Sequence, residues 1–368
     1  MKICYLADAG SIHTQRWIKY FADNGHEVHL ISFRSLGDCN IKDVKLHLLK
    51  RLRPQIRFVS FPINLFFEVI QVRELIKKIK PDIVHVHYIA RYGVLGLSGF
   101  HPLVATGWGS DILIAPKKSK IAKKIVKYTL KHADLFTSDS NYLRDVAIGY
   151  GAPSNNSYVI NWGVDFKVFN PFSKPAKNEL KANLNVCPIV ISTRSFEYVY
   201  NIDIIIKAIP FVLKKVPNVK FILKNGYGTK GPELMNLTRK MGVADYTIII
   251  DKMEDYDKMP YYLNMSDIYI SVPSSDSTSV SLLEAMACGL PVIVSDLPAN
   301  REWVKDGWNG YIVPTRDEKA LADAIVNLLM DGEKRKIFGK RNYELVKEKA
   351  DYEKNMKIME ELYESLLR

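Results

Sequence analysis

The segment IYISVPSSDSTSVSLLEAMACGLPVIVSDL, residues 268–297, predicts a strand, a loop, a helix and a second strand in close succession. Its ends, IYISVPS and PVIVSDL, are rich in the β-branched residues that favour strands. Between them, VSLLEAMACG contains helix-forming residues and closes at Gly289, a residue typical of the position just after a helix. A helix joining two short strands in this way predicts a parallel sheet and an α/β fold.

The same alternation continues outward from this segment in both directions. Strands are predicted at CPIVIST, VKFILKN and TIIIDK in the second half, and at KICYLADA, EVHLISF, DIVHVHY, PLVATGW, LFTSDS and SYVIN in the first. The run NPFSKPAKNELKANLN lies between the two series and is interpreted as a linker. From about residue 316 the chain is expected to be almost entirely helical. A length of 368 residues agrees with two doubly wound domains.

Charge is distributed unevenly between the two halves. Residues 1–170 contain 24 Lys and Arg against 13 Asp and Glu, whereas residues 171–368 contain 28 against 27. This asymmetry predicts an anionic partner for the first half. Four scattered cysteines without a CxxC pair favour a reducing compartment. The start MKICYLADAG predicts a strand rather than a signal peptide, and no uncharged apolar run approaches the ~18 residues of a spanning helix.

The loop SDSTS, residues 275–279, precedes the helix of the opening segment. In open parallel sheets, ligands bind beyond the carboxyl ends of strands, where loops lead into helices. The backbone N–H groups of Ser279, Val280 and Ser281 are expected to be unpaired at the start of this helix. The loop is therefore a candidate site for a phosphate or diphosphate.

Two carboxylates flank this helix start. Glu284 lies about one and a half turns into the helix, where it can accept hydrogen bonds from the vicinal hydroxyls of a sugar. Asp276 precedes the helix and can reach a different part of the ligand. In the alternative interpretation Asp276, Ser277 or Thr278 is simply an N-cap and Glu284 is a solvated helix residue.

The string SDSTSVSLLEAMACGLPVIVSDLPANREWVKDGWNGYIVP closely resembles the donor-site signature of glycosyltransferase family 4, a large family of retaining enzymes. HTQRWIKYFADNGHEVHLIS, PDIVHVHY, VINWGVDFKVFNP and NVKFILKNGYG resemble further landmarks of that family, so the resemblance extends over nearly the whole chain. It implies the GT-B fold, with two Rossmann-like doubly wound domains facing a central cleft. Residues 1–170 should bind the acceptor and 185–345 the nucleotide-sugar donor. The last helix, about 350–368, should cross back to the first domain.

The resemblance also implies roles for residues of the second domain. Glu284 corresponds to the glutamate that binds the nucleotide ribose, and Asp276 to the carboxylate that contacts hydroxyls of the donor sugar. In STRSFEYVYNID, Arg194 matches an arginine that neutralises the diphosphate. The lysine that accompanies this arginine in the family is replaced here by Val199 or Tyr200.

Base recognition in the family falls to backbone near the positions of Lys252 and Met253. The sequence therefore does not distinguish a UDP-sugar from a GDP-sugar donor. Many family members carry T-x-H-G-x-D in the first domain, where this chain has ATGWGSDIL. Trp108 occupies the histidine position, while Asp111 matches the aspartate.

The first loop, DAGSIHT, contains one glycine rather than GxGxxG and is a weak phosphate signal by itself. Gly10 nevertheless precedes a predicted helix start and faces the cleft in the family pattern. His13 is either a polar contact to donor or acceptor or a solvated residue of the first helical turn.

Neither of two possible metal motifs is convincing. His85 and His87 alternate on a predicted strand, but no third ligand is suggested, so packed strand histidines are the preferred interpretation. The DYD at 255–257 has the form of a metal-binding D-x-D, yet it opens a predicted helix and is better explained as an acidic first turn. We expect no metal and no cofactor besides the nucleotide sugar.

The segment KKSKIAKKIVKYTLKH predicts a helix with an apolar and a lysine-rich face. The expected apolar face comprises Ile121, Ala122, Ile125, Val126, Thr129 and Leu130. With KRLRPQIRF and RELIKKIK, the lysine face predicts contact with an anionic membrane surface. Nucleic acid is the rival anion, but no recognised binding module is present.

These observations predict a retaining hexosyltransferase that acts on a lipid-linked or glycan acceptor in the synthesis of cell-surface polysaccharide, glycolipid or lipid-linked glycan. The expected location is cytoplasmic, peripheral on the inner face of the cell membrane. A sugar-nucleotide epimerase of the same fold and a catalytically silent sugar-nucleotide binding subunit remain as alternatives.

Overall fold

The computed structural model describes residues 1–36, 41–50, 57–96, 100–171, 187–252 and 256–368. The chain divides into two compact units, which we call unit 1 and unit 2. Unit 1 comprises Met1–Trp162 together with Asn355–Arg368, and unit 2 comprises Gly163–Lys354.

Unit 1 contains a seven-stranded parallel sheet of order β3-β2-β1-β4-β5-β6-β7. Its strands are β1 (Lys2–Leu6), β2 (Glu27–Ser32), β3 (Val44–Leu48), β4 (Ile83–His87), β5 (Leu103–Thr106), β6 (Leu135–Ser138) and β7 (Ser157–Val159). Helices span Ile12–Asp23, Arg57–Ile79, Ile89–Gly96, Ser110–Leu113, Ala115–Lys118, Lys120–Lys131 and Asn141–Tyr150. All residues of the central strand β4 are buried, as expected when helices cover both faces of a parallel sheet.

Unit 2 contains a six-stranded parallel sheet of order β10-β9-β8-β11-β12-β13. Its strands are β8 (Ile189–Ser192), β9 (Lys220–Lys224), β10 (Thr247–Ile250), β11 (Ile268–Ser271), β12 (Val292–Ser295) and β13 (Gly310–Val313). Helices span Ile202–Leu213, Gly231–Lys240, Met259–Met265, Val280–Ala287, Pro298–Arg301, Glu318–Met330 and Gly332–Lys349. The predicted helical tail from about residue 316 is confirmed.

Two strands were not predicted, and both lie at sheet edges. In β3 the residues Lys45 and Leu48 are exposed and the others only half-buried, so the strand lacks a continuous apolar run. In β13 the first residue is glycine, which weakens a strand pattern. Edge strands bury less surface than central ones, and their sequence signal is correspondingly weaker.

The helix Val280–Ala287 ends as the sequence predicts. Gly289 has φ +72°, and the N–H of the next residue, Leu290, donates to the carbonyl of Ala285 at 3.1 Å. A glycine is suited to this left-handed position because it has no Cβ. The turn redirects the chain into β12.

The basic helix, Lys120–Lys131, packs by a narrower face than predicted. Val126, Thr129 and Leu130 are buried, but Ile121 is 54% exposed, so its assignment to the buried apolar face was wrong. Tyr128 is also 51% exposed. Across the described ranges, no helix is both long enough and apolar enough to cross a bilayer.

The final helix, Tyr352–Leu366, belongs to unit 1 from Asn355 onward. Its Tyr363 is fully buried, and the hydroxyl hydrogen-bonds Nδ1 of His85 and, at 3.2 Å, the hydroxyl of Tyr5. The side chain of Asn355 donates to the carbonyl of Asn161 at 2.9 Å. The end of the chain is therefore part of the core built by its beginning.

Candidate functional site

Ser279 is the N-cap of the helix Val280–Ala287 and lies just beyond the carboxyl end of β11. Its Oγ accepts a hydrogen bond from the N–H of Leu282 at 3.3 Å. The cap is thus Ser279 rather than Asp276, Ser277 or Thr278, which leaves Asp276 available for another contact. Ser279 and Ser281 lie with their hydroxyl oxygens 3.0 Å apart at this helix start.

Arg194 follows β8 and joins this helix start from the neighbouring strand. Its Nη2 donates to Oδ2 of Asp276 at 2.7 Å, and its Nη1 contacts the hydroxyls of Ser279 and Ser281. The guanidinium is largely buried, with 8% of the residue exposed. The structure therefore brings together four of the residues that the sequence predicted for one site.

The electrostatics of this cluster depend on burial. Burial raises the pKa of Asp276, and the charge of Arg194 opposes that rise. For Arg194, burial favours the neutral form, but the nearby carboxylate outweighs it and the pKa lies above its ordinary value. The guanidinium is consequently charged at every physiological pH.

One donor of this buried guanidinium is not used within the protein. Among the described residues, nothing accepts a hydrogen bond from the buried Nε of Arg194. An unpaired donor on a buried charged group is costly. An anionic ligand at this point would satisfy it.

Tyr200 is, with Val199, one of the two positions at which the family resemblance expects a lysine. Its ring lies against the Arg194 guanidinium, 4.3 Å from the ring centroid to Cζ, and its hydroxyl lies 3.1 Å from that of Tyr227. Burial raises the pKa of Tyr200, so the side chain is neutral. An aromatic face thus lies against the guanidinium at this point in the cluster.

Glu284 is buried on the helix Val280–Ala287, with 5% of the residue exposed. Its Oε1 accepts a hydrogen bond from the hydroxyl of Tyr256 at 2.7 Å. The interpretation of Glu284 as a solvated helix residue is therefore wrong. Sequence reasoning did not identify Tyr256, because no spacing or motif links it to a glutamate 28 residues away.

The loop after β9 packs tightly against the loop that carries Arg194. Oδ1 of Asn225 accepts from the N–H groups of Phe196 and Gly228, at 2.9 and 2.8 Å. A Cβ on Gly228 would lie 2.3 Å from the backbone nitrogen of Phe196, so only glycine fits. Lys252, predicted near the base, is exposed beyond the end of β10, and Met253 lies outside the described residues.

In unit 1, Asp111 joins two loops at the carboxyl edge of the sheet. Its carboxylate accepts from the N–H groups of Trp108 at 2.9 Å and of Ile89 at 2.8 Å, and it is fully buried. Burial raises its pKa to about 6. Asp111 therefore holds the Trp108 loop in place through the backbone.

Gly10 and His13 also lie at this edge of unit 1, around the start of the helix Ile12–Asp23. Gly10 is exposed, and its N–H donates to Oδ1 of Asp8 at 3.0 Å. His13 is half-buried and its ring lies 4.6 Å from that of Trp162. Trp162 was not predicted as a site residue, since nothing in its sequence neighbourhood indicates contact with a loop about 150 residues earlier.

His85 and His87 are packed strand histidines, as the sequence indicated. Both are buried on the same face of β4, with ring centroids 4.3 Å apart. Within the described part of the chain, no three His, Cys, Asp or Glu side chains form a group able to hold a metal ion.

Two family models match the chain and between them span most of its length. The model described as Glycosyl transferase 4-like matches residues 2–140, and Glycosyl transferases group 1 matches residues 177–345. N-acetyl-alpha-D-glucosaminyl L-malate synthase of Bacillus anthracis is 24% identical, and the match covers 95% of this chain and 92% of that protein.

Solved structures resemble the whole chain in fold. Sucrose-phosphate synthase from Thermosynechococcus elongatus has a TM-score of 0.84 at 19% identity, covering 100% of this chain and 99% of that one. Anabaena HepE, solved in complex with UDP-glucose, has a TM-score of 0.80 at 18% identity, covering 99% and 100%. The expected GT-B fold is confirmed.

Proposed function

Because the chain belongs to the GT4-type glycosyltransferases of group 1, we propose that it transfers a hexose from a UDP- or GDP-sugar to an acceptor hydroxyl with retention of anomeric configuration. The observation that carries this proposal is the buried Arg194, which contacts the start of the helix Val280–Ala287 and whose Nε has no acceptor among the described residues. A charged donor beside a helix N-terminus favours a diphosphate.

In this proposal Glu284 binds the ribose. A carboxylate offers about four lone-pair positions, so Glu284 can hold the Tyr256 hydroxyl and accept from vicinal ribose hydroxyls together. Because its backbone lies in a helix and its side chain is buried, the position of the carboxylate is set before the nucleotide arrives. Asp276 then contacts hydroxyls of the donor sugar.

Catalysis is proposed to rest on stabilising the departing diphosphate. As the bond from the sugar to the diphosphate breaks, negative charge grows on the phosphate oxygen next to Arg194 and the helix N–H groups, which are already oriented. The diphosphate then takes the proton of the acceptor hydroxyl, which attacks from the same face of the sugar. No metal ion is required in this scheme, so transfer should continue in EDTA.

The acceptor is proposed to be a lipid-linked saccharide or glycolipid at the cytoplasmic membrane face, in synthesis of cell-surface glycans. The basic helix supports this proposal. Lys120, Lys123, Lys124 and Lys127 are exposed on it, close in sequence to the exposed Ile121 and Tyr128. Cations near an anionic bilayer contribute ~1 kcal/mol each, and exposed apolar side chains can enter its headgroup region.

Glu284→Ala tests the donor site. Losing a charged acceptor should weaken UDP or GDP binding by ~1.5 to 3 kcal/mol and nearly abolish transfer. Calorimetry measures the first effect, and NMR of the product reports its anomeric configuration. Unchanged nucleotide affinity would remove Glu284 from the site.

The same assays separate the rival functions. An epimerase would consume the donor without any acceptor and release a different nucleotide sugar. A silent binding subunit would bind the donor and never turn it over. Thermal shift with a panel of UDP- and GDP-sugars identifies the donor for both assays.

The membrane proposal is tested by neutralising four lysines of the basic helix together: Lys120, Lys123, Lys124 and Lys127. Sedimentation with anionic vesicles should show a loss of ~4 kcal/mol in binding, and wild-type binding should fade with salt. The matched control neutralises four exposed lysines of the helix Gly332–Lys349: Lys336, Lys340, Lys347 and Lys349. Equal losses in both variants, or no wild-type binding at low salt, would contradict a specific docking face.

A further inference from the structure

An aromatic cluster lies at the carboxyl edge of the unit 1 sheet, and Trp17 belongs to it with its ring 5.0 Å from that of His87. We call four other members the aromatic quartet: His13, His87, Trp108 and Trp162. The rings of Trp108 and Trp162 lie 4.5 Å apart, and that of His13 lies 4.6 Å from Trp162 and 6.0 Å from Trp108. The ring of His87 lies 5.7 Å from Trp108. Each member comes from a different segment of chain, so the sheet edge alone brings them together.

Three members of the quartet, His87, Trp108 and Trp162, carry buried ring nitrogens without a partner among the described residues. Among the described residues, no partner exists for either ring nitrogen of His87 or for the indole nitrogens of Trp108 and Trp162, all of them buried. His87 is 1% exposed and Trp162 is 7% exposed. By contrast, His85 on the same face of β4 has both nitrogens bonded, to Tyr363 and Thr106. Buried polar groups are normally paired, so these nitrogens indicate a partner from outside the chain.

The hydrogen-bonding capacity of these atoms defines what would pair them. Burial lowers the pKa of His87 to about 3, so its imidazole is neutral, with one donor and one acceptor nitrogen. The two indoles add two donors and no acceptor. His87 and the two indoles carry no charge, which disfavours an anion at this point. A hydrocarbon chain would leave every donor unpaired, whereas a hydroxyl both donates and accepts.

Besides hydrogen-bonding groups, the quartet offers ring faces against which a ligand can stack. His13 and Trp108 are half-buried, so they are the members that a ligand meets first. Aromatic walls with a few directed polar groups are typical of small-molecule sites, and open parallel sheets bind ligands at this edge. A pyranose has an apolar C–H face that stacks on an indole and a rim of hydroxyls that pairs with N–H groups.

We propose that the aromatic quartet is a saccharide subsite that binds a neutral pyranose of the acceptor. This inference rests on the proposed function, because a glycosyltransferase needs an acceptor and unit 2 contains the residues assigned to the donor. Trp108 provides the stacking face, and the hydroxyls of the sugar pair with the indole and imidazole nitrogens.

Tryptophan fluorescence of the full chain tests the proposal directly. The probes are methyl α-D-glucopyranoside, methyl α-D-mannopyranoside and methyl N-acetyl-α-D-glucosaminide, with glucitol as an open-chain polyol. At least one glycoside should change the fluorescence saturably, and glucitol should not. No saturable response, or equal binding of glucitol, would overturn the proposal and leave ordered water as the partner of these nitrogens.

Substitutions locate the response. Trp108→Phe and Trp162→Phe keep a ring but remove the N–H, and each should weaken glycoside binding by about fivefold, the effect of one hydrogen bond. Trp108→His restores a ring N–H and should bind more tightly than Trp108→Phe. Trp308→Phe is the matched control, because Trp308 is 40% exposed in unit 2 and stacks on Arg341. Wild-type affinity in both Trp108→Phe and Trp162→Phe would overturn the assignment.

UDP and GDP titrations separate this inference from the proposed function. Nucleotide affinity should be the same in wild type and in all the tryptophan variants, with melting temperatures confirming that each variant folds. Failure of the wild type to bind either nucleotide would contradict the proposed function, while glycoside binding would still report on the quartet. Nucleotide binding that is lost in Trp108→Phe or Trp162→Phe would overturn the saccharide assignment in favour of a nucleobase.

Discussion

The two candidate sites occupy the same place in their sheets but are made of different chemistry. In unit 2, the site is an ion pair between the buried Arg194 and the partly exposed Asp276, with the hydroxyls of Ser279 and Ser281 beside the guanidinium. In unit 1, the site is a set of aromatic rings, and the ring nitrogens of His87, Trp108 and Trp162 have no partner within the described part of the chain. One fold thus carries a charged cluster in one unit and an aromatic cluster in the other, and our proposals assign them to a diphosphate and to a neutral sugar. The difference teaches that the position of a site follows from the sheet, whereas its ligand follows from the side chains.

Removing the charge from the unit 2 site is expected to have the largest effect. Arg194→Ala leaves the carboxylate of Asp276, whose side chain is only 19% exposed, without its partner, which should cost ~3 kcal/mol. We expect a lower urea midpoint of unfolding and loss of UDP or GDP binding. Arg301→Ala is the control, because its pair with Asp296 is exposed and should contribute only ~0–1 kcal/mol. If Arg194→Ala and Arg301→Ala were equally stable, the Arg194–Asp276 pair would contribute no more to stability than an exposed pair, and this prediction would be wrong.

The pH dependence of stability tests whether burial raises the pKa of Asp111 in unit 1. Its pKa of about 6 exceeds the ordinary value of 3.8, so the folded state holds a proton that the unfolded state releases between these values. Stability from this group is fully present below pH 3.8 and falls by about 3 kcal/mol as the pH rises through 6. Asp111→Asn cannot titrate. Urea unfolding at several pH values should therefore show the stability of the wild type falling relative to this variant, and a constant difference would contradict the expected shift.

Substitution of Tyr200 tests how much an aromatic ring contributes to the charged site of unit 2. Tyr200→Leu loses the ring that stacks on Arg194 and should weaken nucleotide binding by ~0.5–2 kcal/mol. Tyr200→Phe keeps the ring and should bind almost as the wild type does. Calorimetry with UDP and GDP compares the two. Equal losses would assign the effect to the hydroxyl and its contact with Tyr227 instead of the ring.

The charged site was predictable because most of its groups lie close together in the sequence. Asp276, Ser279, Ser281 and Glu284 all follow from one strand, loop and helix. Arg194 lies 82 residues before Asp276 and was placed only through the family resemblance. Tyr256 lay beyond prediction, since its contact with Glu284 depends on how separate loops pack.

The aromatic quartet shows why much of the rest could not be predicted. Its members come from the first turn of the helix Ile12–Asp23, from the end of β4 and from the segments after β5 and β7, and no local pattern relates them. Sequence periodicity identified the strands and the buried His87, but ring contacts and unpaired nitrogens are properties of tertiary packing. The edge strands β3 and β13 were not predicted for a related reason: much of their stabilisation comes from pairing with the neighbouring strands β2 and β12.

Membership of residues Asn355–Arg368 in unit 1 has a consequence for synthesis on the ribosome. Unit 2 is one continuous stretch of chain, but unit 1 is complete only when its final helix arrives. About 190 residues separate Trp162 from Asn355, so at ~5–20 residues per second unit 1 waits about 10–40 s for that helix. Until then Tyr363 is absent and Nδ1 of His85 lacks its partner. We expect unit 1, although most of it is synthesised first, to finish folding last. Before its final helix is added, unit 1 exposes core surface that a chaperone can recognise.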